Sequence, residues 1–350
     1  MRTVILRQVL LVMLATTLVQ DAAAQAEASL WRPHGLDVSW DRSGSERIAY
    51  SMKGSDGYYD VHTADPDGGR DSCLTCAYAG LPVRHVAAPD WSPDGQWLLV
   101  TAEKAEHRGS SFVALPGLGG FTDIWMIRRD GTGAVKLVET VADKHHGVIM
   151  PRFSHDGRHI TWTDRVKKAN VLSLKRAFGY WTINTADIAW SADGTPTLAN
   201  IRVLSPGGGS FHEGYGFSPD DRRILFCSSM NGRSVWDQDI YTMDTNGGDI
   251  QRLTHKDYNE HAFYTPAGDR IVWMSNRSGD AGTDWWMMRS DGSDPQRLTY
   301  FNAKKDPRHA GRKVWCGMGS FNAQGDAFVG GRQVSLTTQE GQIMFVRLVP

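Results

Sequence analysis

Trp91-Ser92-Pro93-Asp94-Gly95 decides the fold of this 350-residue chain, because its pattern of an aromatic residue, Ser or Thr, two loose positions and Gly returns along the sequence. Pro-Asp-Gly is the composition of a tight turn, in which Pro presets φ and Gly supplies a positive φ. The motif aromatics, some in degenerate copies, are Trp40, Trp91, Phe153, Phe217, Tyr264 and Phe321. Six copies spaced 47 to 64 residues apart predict a propeller or a solenoid.

Each copy also carries the pattern of an antiparallel unit of four strands. An alternating apolar strand follows the turn, as in Trp97–Val100, and the third strand is often opened by Asp, as in Asp239–Met243. A short fourth strand follows, as in Gln251–Thr254. No helical periodicity separates these strands, so the sequence predicts an all-β, six-bladed β-propeller of four-stranded blades.

The two ends of the repeat array complement each other. The last copy, after Phe321, has room for only two further strands, whereas Ser29–Arg32 precede the first copy at the position of a fourth strand. We expect this N-terminal strand to complete the last blade, since closure of the ring leaves no exposed sheet edge. The predicted propeller is a single domain spanning residues 25–350.

The first 24 residues have the pattern of a secretory signal peptide. Arg2 and Arg7 give a positive start, residues 9–19 are apolar, and three small residues end at Ala24. The apolar run is shorter than the roughly 20 residues that span a bilayer. We therefore expect export to the periplasm or the cell exterior, and no membrane span in the mature chain.

Charge and cysteine content narrow the function classes. The 38 Lys and Arg balance 39 Asp and Glu, which argues against a nucleic-acid binder held by phosphate contacts. Cys73 and Cys76 form a CxxC motif that would suggest redox or zinc chemistry in the cytosol. In an oxidising compartment we expect a local disulfide instead, with Cys227 and Cys316 as buried free thiols.

The turn motif, the Asp239–Met243 strand and the Arg-Leu-Thr ending of residues 252–254 resemble the TolB-type WD40-like β-propeller repeat family. The resemblance covers nearly all of the mature chain. It implies the propeller fold, which serves binding, scaffolding and catalysis alike. The chain is also distantly similar to propellers of the oligogalacturonate lyase type, a similarity that implies histidines at the channel mouth holding a divalent metal.

Histidines gather three to eight residues before the motif aromatics. In a propeller this is where the innermost strands begin, around one mouth of the central channel, so we expect a His-lined site there. Neutral imidazoles with a carboxylate suit zinc, manganese or copper, and they also suit acid–base work near neutral pH. A histidine at a repeated loop position can equally serve only to bond neighbouring backbone. The six are His34, His85, His145, His146, His212 and His261.

The candidate site residues follow from this mouth. His146, His212 and His261 are the candidate metal ligands, and Glu213 and Glu260 the candidate catalytic carboxylates. Two long loops, 102–122 and 163–180, add an excess of basic residues that favours an anionic ligand, or that is only a solvated charged surface. The candidate ligand-binding residues are His34, His85, Asn259, Arg108, Arg165, Lys168 and Trp315.

Two functions remain open at this point. The first is an exported propeller that binds an anionic small molecule, an oligosaccharide or a periplasmic protein through the His-lined mouth. The second is a metal-assisted lyase or hydrolase that acts on an acidic carbohydrate. The sequence carries neither the GxSxG motif of serine hydrolases nor the HExxH motif of zinc peptidases.

Overall fold

The computed structural model describes residues 25–167, 170, 172–173, 177–204, 206–207, 211–335 and 340–349. The predicted signal peptide lies outside these residues. The described chain forms 24 β-strands, with one short 3₁₀ turn at Ser111–Ala114. No helix in these ranges is long and apolar enough to cross a membrane.

The strands form six sheets of four antiparallel strands, each built from consecutive elements except the last. Blade 1 contains β2 (Leu36–Trp40), β3 (Ile48–Lys53), β4 (Tyr59–Ala64) and β5 (Ser72–Cys73), and blade 2 contains β6 (Val86–Trp91), β7 (Trp97–Glu103), β8 (Thr122–Arg128) and β9 (Ala134–Val138). Blade 3 contains β10 (Gly147–Phe153), β11 (His159–Lys167), β12 (Tyr180–Trp190) and β13 (Pro196–Val203). Blade 4 contains β14 (His212–Phe217), β15 (Arg223–Ser228), β16 (Asp239–Asp244) and β17 (Gln251–Arg252), and blade 5 contains β18 (Asn259–Tyr264), β19 (Arg270–Ser275), β20 (Asp284–Arg289) and β21 (Gln296–Arg297). Blade 6 contains β22 (Trp315–Phe321), β23 (Ala327–Ser335), β24 (Glu340–Val349) and β1 (Gln25–Arg32).

The innermost strands β2, β6, β10, β14, β18 and β22 contact one another in that order, and β22 returns to β2. This closed ring confirms the predicted all-β six-bladed propeller. Each inner strand runs from the face that carries the loops between blades, the loop face, to the face that carries the motif turns, the turn face. Residues at matching positions of the six strands therefore surround one central channel.

Closure depends on the N-terminal strand, as predicted. β1 pairs antiparallel with β24, from Gln25 opposite Val349 to Arg32 opposite Ile343. The end of β1 also holds blade 1, because Trp31 Nε1 donates to the Pro66 carbonyl at 2.8 Å and Arg32 Nη2 donates to the Gly68 carbonyl at 2.6 Å. The first described strand thus joins the last blade to the first.

Side chains just before the motif aromatics connect neighbouring blades. The Trp91 N–H donates to Ser39 Oγ at 3.1 Å, and the Phe153 N–H donates to Asp90 Oδ2 at 2.9 Å. Across the closing seam, the Trp40 N–H donates to Ser320 Oγ at 2.9 Å. These acceptors satisfy backbone donors that the inner strands leave unpaired, and they fix the spacing of the blades.

Large aromatic side chains fill the wedges between blades. Trp273, Trp285 and Tyr241 are fully buried. The Trp285 ring meets the Phe328 ring edge-on at 5.3 Å. A Cβ added at Gly330 would lie 2.4 Å from the same Trp285 ring, so this position between blades 5 and 6 accepts only glycine. Such contacts stabilise the fold because aromatic residues bury the most area per side chain.

Replacing residues 25–32 with a flexible Gly/Ser segment of equal length should open the ring. The seven register pairs between β1 and β24 are then lost. At about 0.5–1.5 kcal/mol per hydrogen bond, we expect the free energy of unfolding to fall by on the order of 5 kcal/mol. Urea unfolding followed by tryptophan fluorescence measures this. A variant as stable as the wild-type protein would show that β1 does not close the ring.

Candidate functional site

The loop face of the channel is partly covered by the connection of residues 104–121. Leu115 of this segment is buried against Leu36 and Ala87 of the inner strands. Gly119 has a φ of 60°, and a Cβ there would lie 2.4 Å from Ile149 Cγ2. The segment therefore lies against the loop-face ends of blades 1 to 3 and narrows the channel on that side.

Basic residues of this connection hold it in place. Lys104 is buried, and its Nζ donates to Asp123 Oδ1 at 2.5 Å. His107 is also buried; it bonds the Glu103 carboxylate and stacks on the Phe121 ring with centroids 3.8 Å apart. Both side chains therefore bond to carboxylates of the chain itself. Arg108, one of the predicted ligand-binding residues, is exposed to solvent.

The predicted histidines on blades 1 and 2 have different surroundings. His34 is exposed and lines a cavity of about 250 Å³ together with Lys53, Tyr59 and Glu340. His85 is buried, and its Nδ1 accepts a hydrogen bond from the Tyr59 N–H at 3.0 Å. Burial lowers the pKa of His85, which keeps the ring neutral.

Two of the three predicted metal ligands bond to other residues of the chain. His212 is 1% exposed; its Nδ1 accepts from the Ser228 hydroxyl at 2.9 Å and its Nε2 donates to the Gly207 carbonyl at 3.0 Å. Burial lowers the pKa of His212. His146 is half-buried and donates from Nδ1 to Asp143 Oδ1 at 2.9 Å. Both ring nitrogens of His212 are therefore engaged in the structure.

Register explains why the histidines have different surroundings. His34 and His85 lie six residues before their motif aromatics, His146 lies seven before, His212 five and His261 three. Successive side chains of a strand point to opposite sides, so even and odd offsets cannot all face the channel. Among the described residues, the groups of three or more metal-capable side chains with ligand atoms within 4.8 Å of one another contain none of these five.

His261 differs from the others because it occupies a bulge in the inner strand. All six inner strands shift register in this region, and at four of the shifts a residue other than glycine has a positive φ: 40° at Asp37, 54° at Ala88, 53° at Met150 and 50° at His261. A bulge re-aims a side chain out of the regular alternation. His261 Nδ1 is buried and has no hydrogen-bond partner in the described structure.

Asp37 of blade 1 lies near ionisable groups of two other blades. Burial raises the pKa of Asp37, and the nearby Arg152 of blade 3 and His261 of blade 5 oppose that rise.

The two predicted catalytic carboxylates meet between blades 4 and 5. Carboxylate oxygens of Glu213 and Glu260 and the sulfur of Cys227 all lie within 4.8 Å of one another, and all three residues are buried. The Tyr215 hydroxyl donates to Glu213 Oε2 at 3.0 Å, and the Tyr258 hydroxyl donates to Glu260 Oε2 at 2.5 Å. Strands β14 and β18 supply the carboxylates, and β15 supplies the thiol. We call Glu213, Glu260 and Cys227 the carboxylate–thiol cluster.

Burial disfavours ionisation at two groups of this cluster. Burial, and next the charge of Glu260, raise the pKa of Glu213 well above its ordinary value. Burial likewise raises the pKa of the Cys227 thiol well above its ordinary value. The protonated forms of Glu213 and Cys227 are therefore favoured, and a bound cation would oppose this shift.

Other predicted ligand-binding residues bond within the chain. Asn259 is buried; its Nδ2 donates to the Lys256 carbonyl at 2.6 Å, and its Oδ1 accepts from Trp273 Nε1 at 3.0 Å. Trp315 is half-buried, with Lys313 Nζ 4.5 Å from its ring centroid.

The predicted basic residues of the second long loop are described only in part. Arg165 donates from Nη2 to the Lys144 carbonyl at 2.7 Å and lies over the Trp181 ring at 5.2 Å. Burial lowers the pKa of Arg165. Lys168 lies outside the described residues.

A cavity of about 400 Å³ opens on the turn face, opposite the predicted mouth. All six motif aromatics line it, so every blade contributes to its wall. Its rim is formed by the residues two positions after these aromatics, which are Arg42, Pro93, His155, Pro219, Pro266 and Ala323. This cavity was not predicted from the sequence, although the six repeated motif aromatics that line it are visible there.

Arg152 lines this cavity and is 8% exposed. Its Nη1 donates to the Pro151 carbonyl at 3.2 Å, and its Nη2 lies 3.7 Å from Met150 Sδ. Its Nη1 is 3.9 Å from Asp90 Oδ1, an ion pair longer than a hydrogen bond. Arg152 directly precedes its motif aromatic, Phe153. In blades 1, 2 and 6 the residue before the motif aromatic accepts a hydrogen bond from the next blade, whereas blade 3 has a guanidinium at this position.

Comparison with known proteins identifies relatives of the fold. No family model matches the chain. An uncharacterized protein of Agrobacterium fabrum is 30% identical over 233 residues, which are 65% of this chain and 64% of that protein. The match thus spans a little under two thirds of the relative.

Solved structures with propeller folds align with most of the chain. TolB from Acinetobacter baumannii aligns with a TM-score of 0.55 and 18% identity, over 88% of this chain and 66% of TolB. An oligogalacturonate lyase in complex with manganese aligns with a TM-score of 0.53 and 12% identity, over 94% and 95% of the two chains. A gluconolactonase from Xanthomonas campestris aligns with a TM-score of 0.54 and 13% identity, over 93% and 90%. These identities establish fold alone, and that fold is a β-propeller.

Proposed function

We propose that the chain is a binding protein that takes an acidic group of a small molecule, an oligosaccharide or a protein partner into its turn-face cavity. The observation that carries this proposal is Arg152, a buried guanidinium in the cavity wall whose carboxylate neighbour Asp90 is 3.9 Å away. A guanidinium stays charged in proteins and presents donors that match a carboxylate in two parallel bonds.

Asp90 leaves this guanidinium available. Its Oδ2 accepts from the Phe153 N–H, and burial raises its pKa, with Arg152 as the largest opposing influence. A ligand carboxylate that displaces the long Asp90 contact gains charge-assisted bonds in a desolvated site, and these are stronger than neutral hydrogen bonds. Arg42 at the rim adds a second positive charge.

The size and walls of the cavity suit a ligand that enters end-on. Its volume of about 400 Å³ lies within the range of small-molecule sites, roughly 300–1,000 Å³. Aromatic side chains and three prolines line it, so the walls are rigid and lose little entropy on binding.

The proposal also includes export, which the Cys73–Cys76 disulfide supports because disulfides persist in oxidising compartments.

Tri-galacturonate, an acidic oligosaccharide, is the first probe of the cavity. We expect saturable quenching of tryptophan fluorescence, because Trp40 and Trp91 line the cavity. Arg152→Met should weaken binding about ten- to hundred-fold, since a hydrogen bond to a charged group contributes about 1.5–3 kcal/mol. Ala323→Trp at the rim should block entry, and Gln324→Trp, one residue further along and outside the lining, should not.

Matched ligands and variants decide between outcomes. The methyl-esterified trimer should not bind, and a penta-aspartate peptide tests whether a protein partner supplies the carboxylate. Arg152→Lys keeps the charge if Arg152→Met fails to fold, and its affinity should be intermediate. Failure of both acidic probes to bind, or unchanged binding by Ala323→Trp, would refute the proposal.

The alternative function, a metal-assisted lyase or hydrolase acting on an acidic carbohydrate, is favoured by the carboxylate–thiol cluster. Two carboxylates and a thiol form a mixed oxygen and sulfur donor set, which suits zinc better than manganese. A bound zinc ion would act as a Lewis acid on a carboxylate or carbonyl oxygen. Glu213, Glu260 and Cys227 would hold the ion, and His261, whose buried Nδ1 has no hydrogen-bond partner among the described residues, would receive and return protons.

Metal content tests this alternative directly. After equilibration with zinc and removal of free metal, we expect elemental mass spectrometry to find one zinc ion per chain. Glu213→Gln and Cys227→Ser should each lose it, because each removes a donor. Glu106→Gln, at an exposed site, is the matched control and should retain the metal. Equal zinc in all four proteins, or none in the wild type, would exclude the metal-assisted mechanism at this cluster.

In metal-free protein, Glu213 should make stability depend on pH. Its pKa is raised above the ordinary 4.5, so its protonated form stabilises the fold fully below about pH 4.5, and this contribution is lost as pH rises through the folded-state pKa. Relative to Glu213→Gln, the unfolding free energy of the wild type should therefore fall by at most about 1.4 kcal/mol per pH unit above about pH 4.5. Urea titrations at increasing pH measure it. The same difference measured for Glu106→Gln should change little with pH. If the difference for Glu213→Gln changes as little, the raised pKa of Glu213 is contradicted.

A further inference from the structure

The Cys73–Cys76 disulfide lies at the outer edge of blade 1, beside a histidine. Cys73 is in β5 and lies directly opposite His62 of β4. The disulfide itself confirms the bond expected from the sequence, and Cys227 and Cys316 are the buried free thiols. Neither the cavity nor the carboxylate–thiol cluster uses this CxxC motif.

The three side chains have the spacing of metal ligands. A ring nitrogen of His62 and the two sulfurs lie within 4.8 Å of one another. With Zn–S near 2.3 Å and Zn–N near 2.0–2.1 Å, two ligands of one tetrahedral zinc are roughly 3.3–3.8 Å apart. Small side-chain rotations therefore bring all three to a single ion once the sulfurs are no longer joined.

Asp71 orients the histidine for this role. His62 Nδ1 lies 3.4 Å from Asp71 Oδ1, and Asp71 Oδ2 accepts from the Tyr50 hydroxyl at 2.7 Å. When Nδ1 carries the proton and donates it to the carboxylate, Nε2 is the ring nitrogen with a lone pair for a ligand bond. Metal-binding histidines are commonly held this way by a carboxylate on the other nitrogen.

The sulfurs are accessible and have a backbone donor. Cys76 is exposed, while Cys73 and His62 are half-buried. The Cys76 N–H donates to Cys73 Sγ at 3.0 Å. A hydrogen bond to sulfur favours the thiolate over the thiol, and the thiolate is the form that binds metal.

We propose that this disulfide closes a latent zinc site made by His62, Cys73 and Cys76. A dithiol reductant breaks the S–S bond by exchange, gives its two protons to the sulfurs and itself becomes a disulfide. A zinc ion then displaces both thiol protons and bonds to the two sulfurs and the imidazole, with water as the fourth ligand. A disulfide oxidant reverses the step by exchange: the two Zn–S bonds break as the Cys73–Cys76 bond re-forms, the oxidant takes the two electrons and two protons from water to become a dithiol, and the ion is released. The site is independent of the binding and enzymatic functions proposed above.

Cobalt is the probe, because thiolate-to-cobalt absorption reports sulfur ligation independently of any activity. The full chain carrying Cys227→Ser, a substitution that removes the thiol of the carboxylate–thiol cluster, is reduced with a phosphine and titrated with Co²⁺ without oxygen. We expect one equivalent bound with thiolate charge-transfer bands, displaced by Zn²⁺, and no such bands for the oxidised protein. Circular dichroism checks that the reduced chain is folded.

Variants assign the bands to this site. His62→Gln and Cys76→Ser should abolish the tight cobalt complex, and Asp71→Asn should weaken it about ten- to hundred-fold. Cys316→Ser, added to the same Cys227→Ser chain, is the matched control and should leave the bands unchanged, since Cys316 is a buried free thiol outside both groups. The proposal is overturned if the folded, reduced Cys227→Ser chain shows no bands, if adding Cys76→Ser keeps them, if adding Cys316→Ser removes them, or if reduction unfolds the chain.

Discussion

The antiparallel ladder between β1 and β24 is the contact on which the site geometry depends. It joins the first described strand of the chain to the last, so the inner strand of blade 6 can pack against that of blade 1. A closed ring fixes the distance from every inner strand to the common axis. Only then do Arg152 and His261, which come from two other blades, lie near enough to Asp37 to oppose the rise in its pKa.

The residue directly before each motif aromatic differs from blade to blade, and these differences indicate candidate functional residues of the channel. Ser39, Asp90 and Ser320 each accept a hydrogen bond from a backbone N–H of the next blade. At these positions the side chain that the repeat supplies holds two neighbouring blades together. Blades 3, 4 and 5 place Arg152, Gly216 and Phe263 at this position, and Arg152 is the one that carries a charge. A buried charge without an evident structural gain marks a candidate functional site better than a residue that follows the repeat. The positive φ of His261 follows the repeat, because Asp37, Ala88 and Met150 share it, but the buried Nδ1 of His261 has no hydrogen-bond partner among the described residues.

The fold was predictable because its signals are local, whereas the site was not. Turn chemistry, strand alternation and the segment around Ser29 sufficed for the six blades and the closing strand. The histidines were grouped by distance along the chain, but bulges and alternation send His34, His212 and His261 into different surroundings. Glu213 and Glu260 were predicted as site residues because they are next to histidines in the sequence. In the structure their carboxylates lie close to each other and to the thiol of Cys227 in β15. That contact joins two blades, and no single repeat encodes it.

Buried groups of opposite charge lie at two places in the ring. Arg152 lines the turn-face cavity, and the Glu213–Glu260 pair is buried between blades 4 and 5. Burying ionisable groups costs several kcal/mol each, and a close ion pair offsets only part of that cost. Arg152 opposes the rise in the pKa of Glu213, yet no hydrogen bond or ion pair joins these two side chains among the described residues. This loose arrangement is the reason that we propose a group from outside the chain at each place, an acidic group at Arg152 and a cation at the carboxylates.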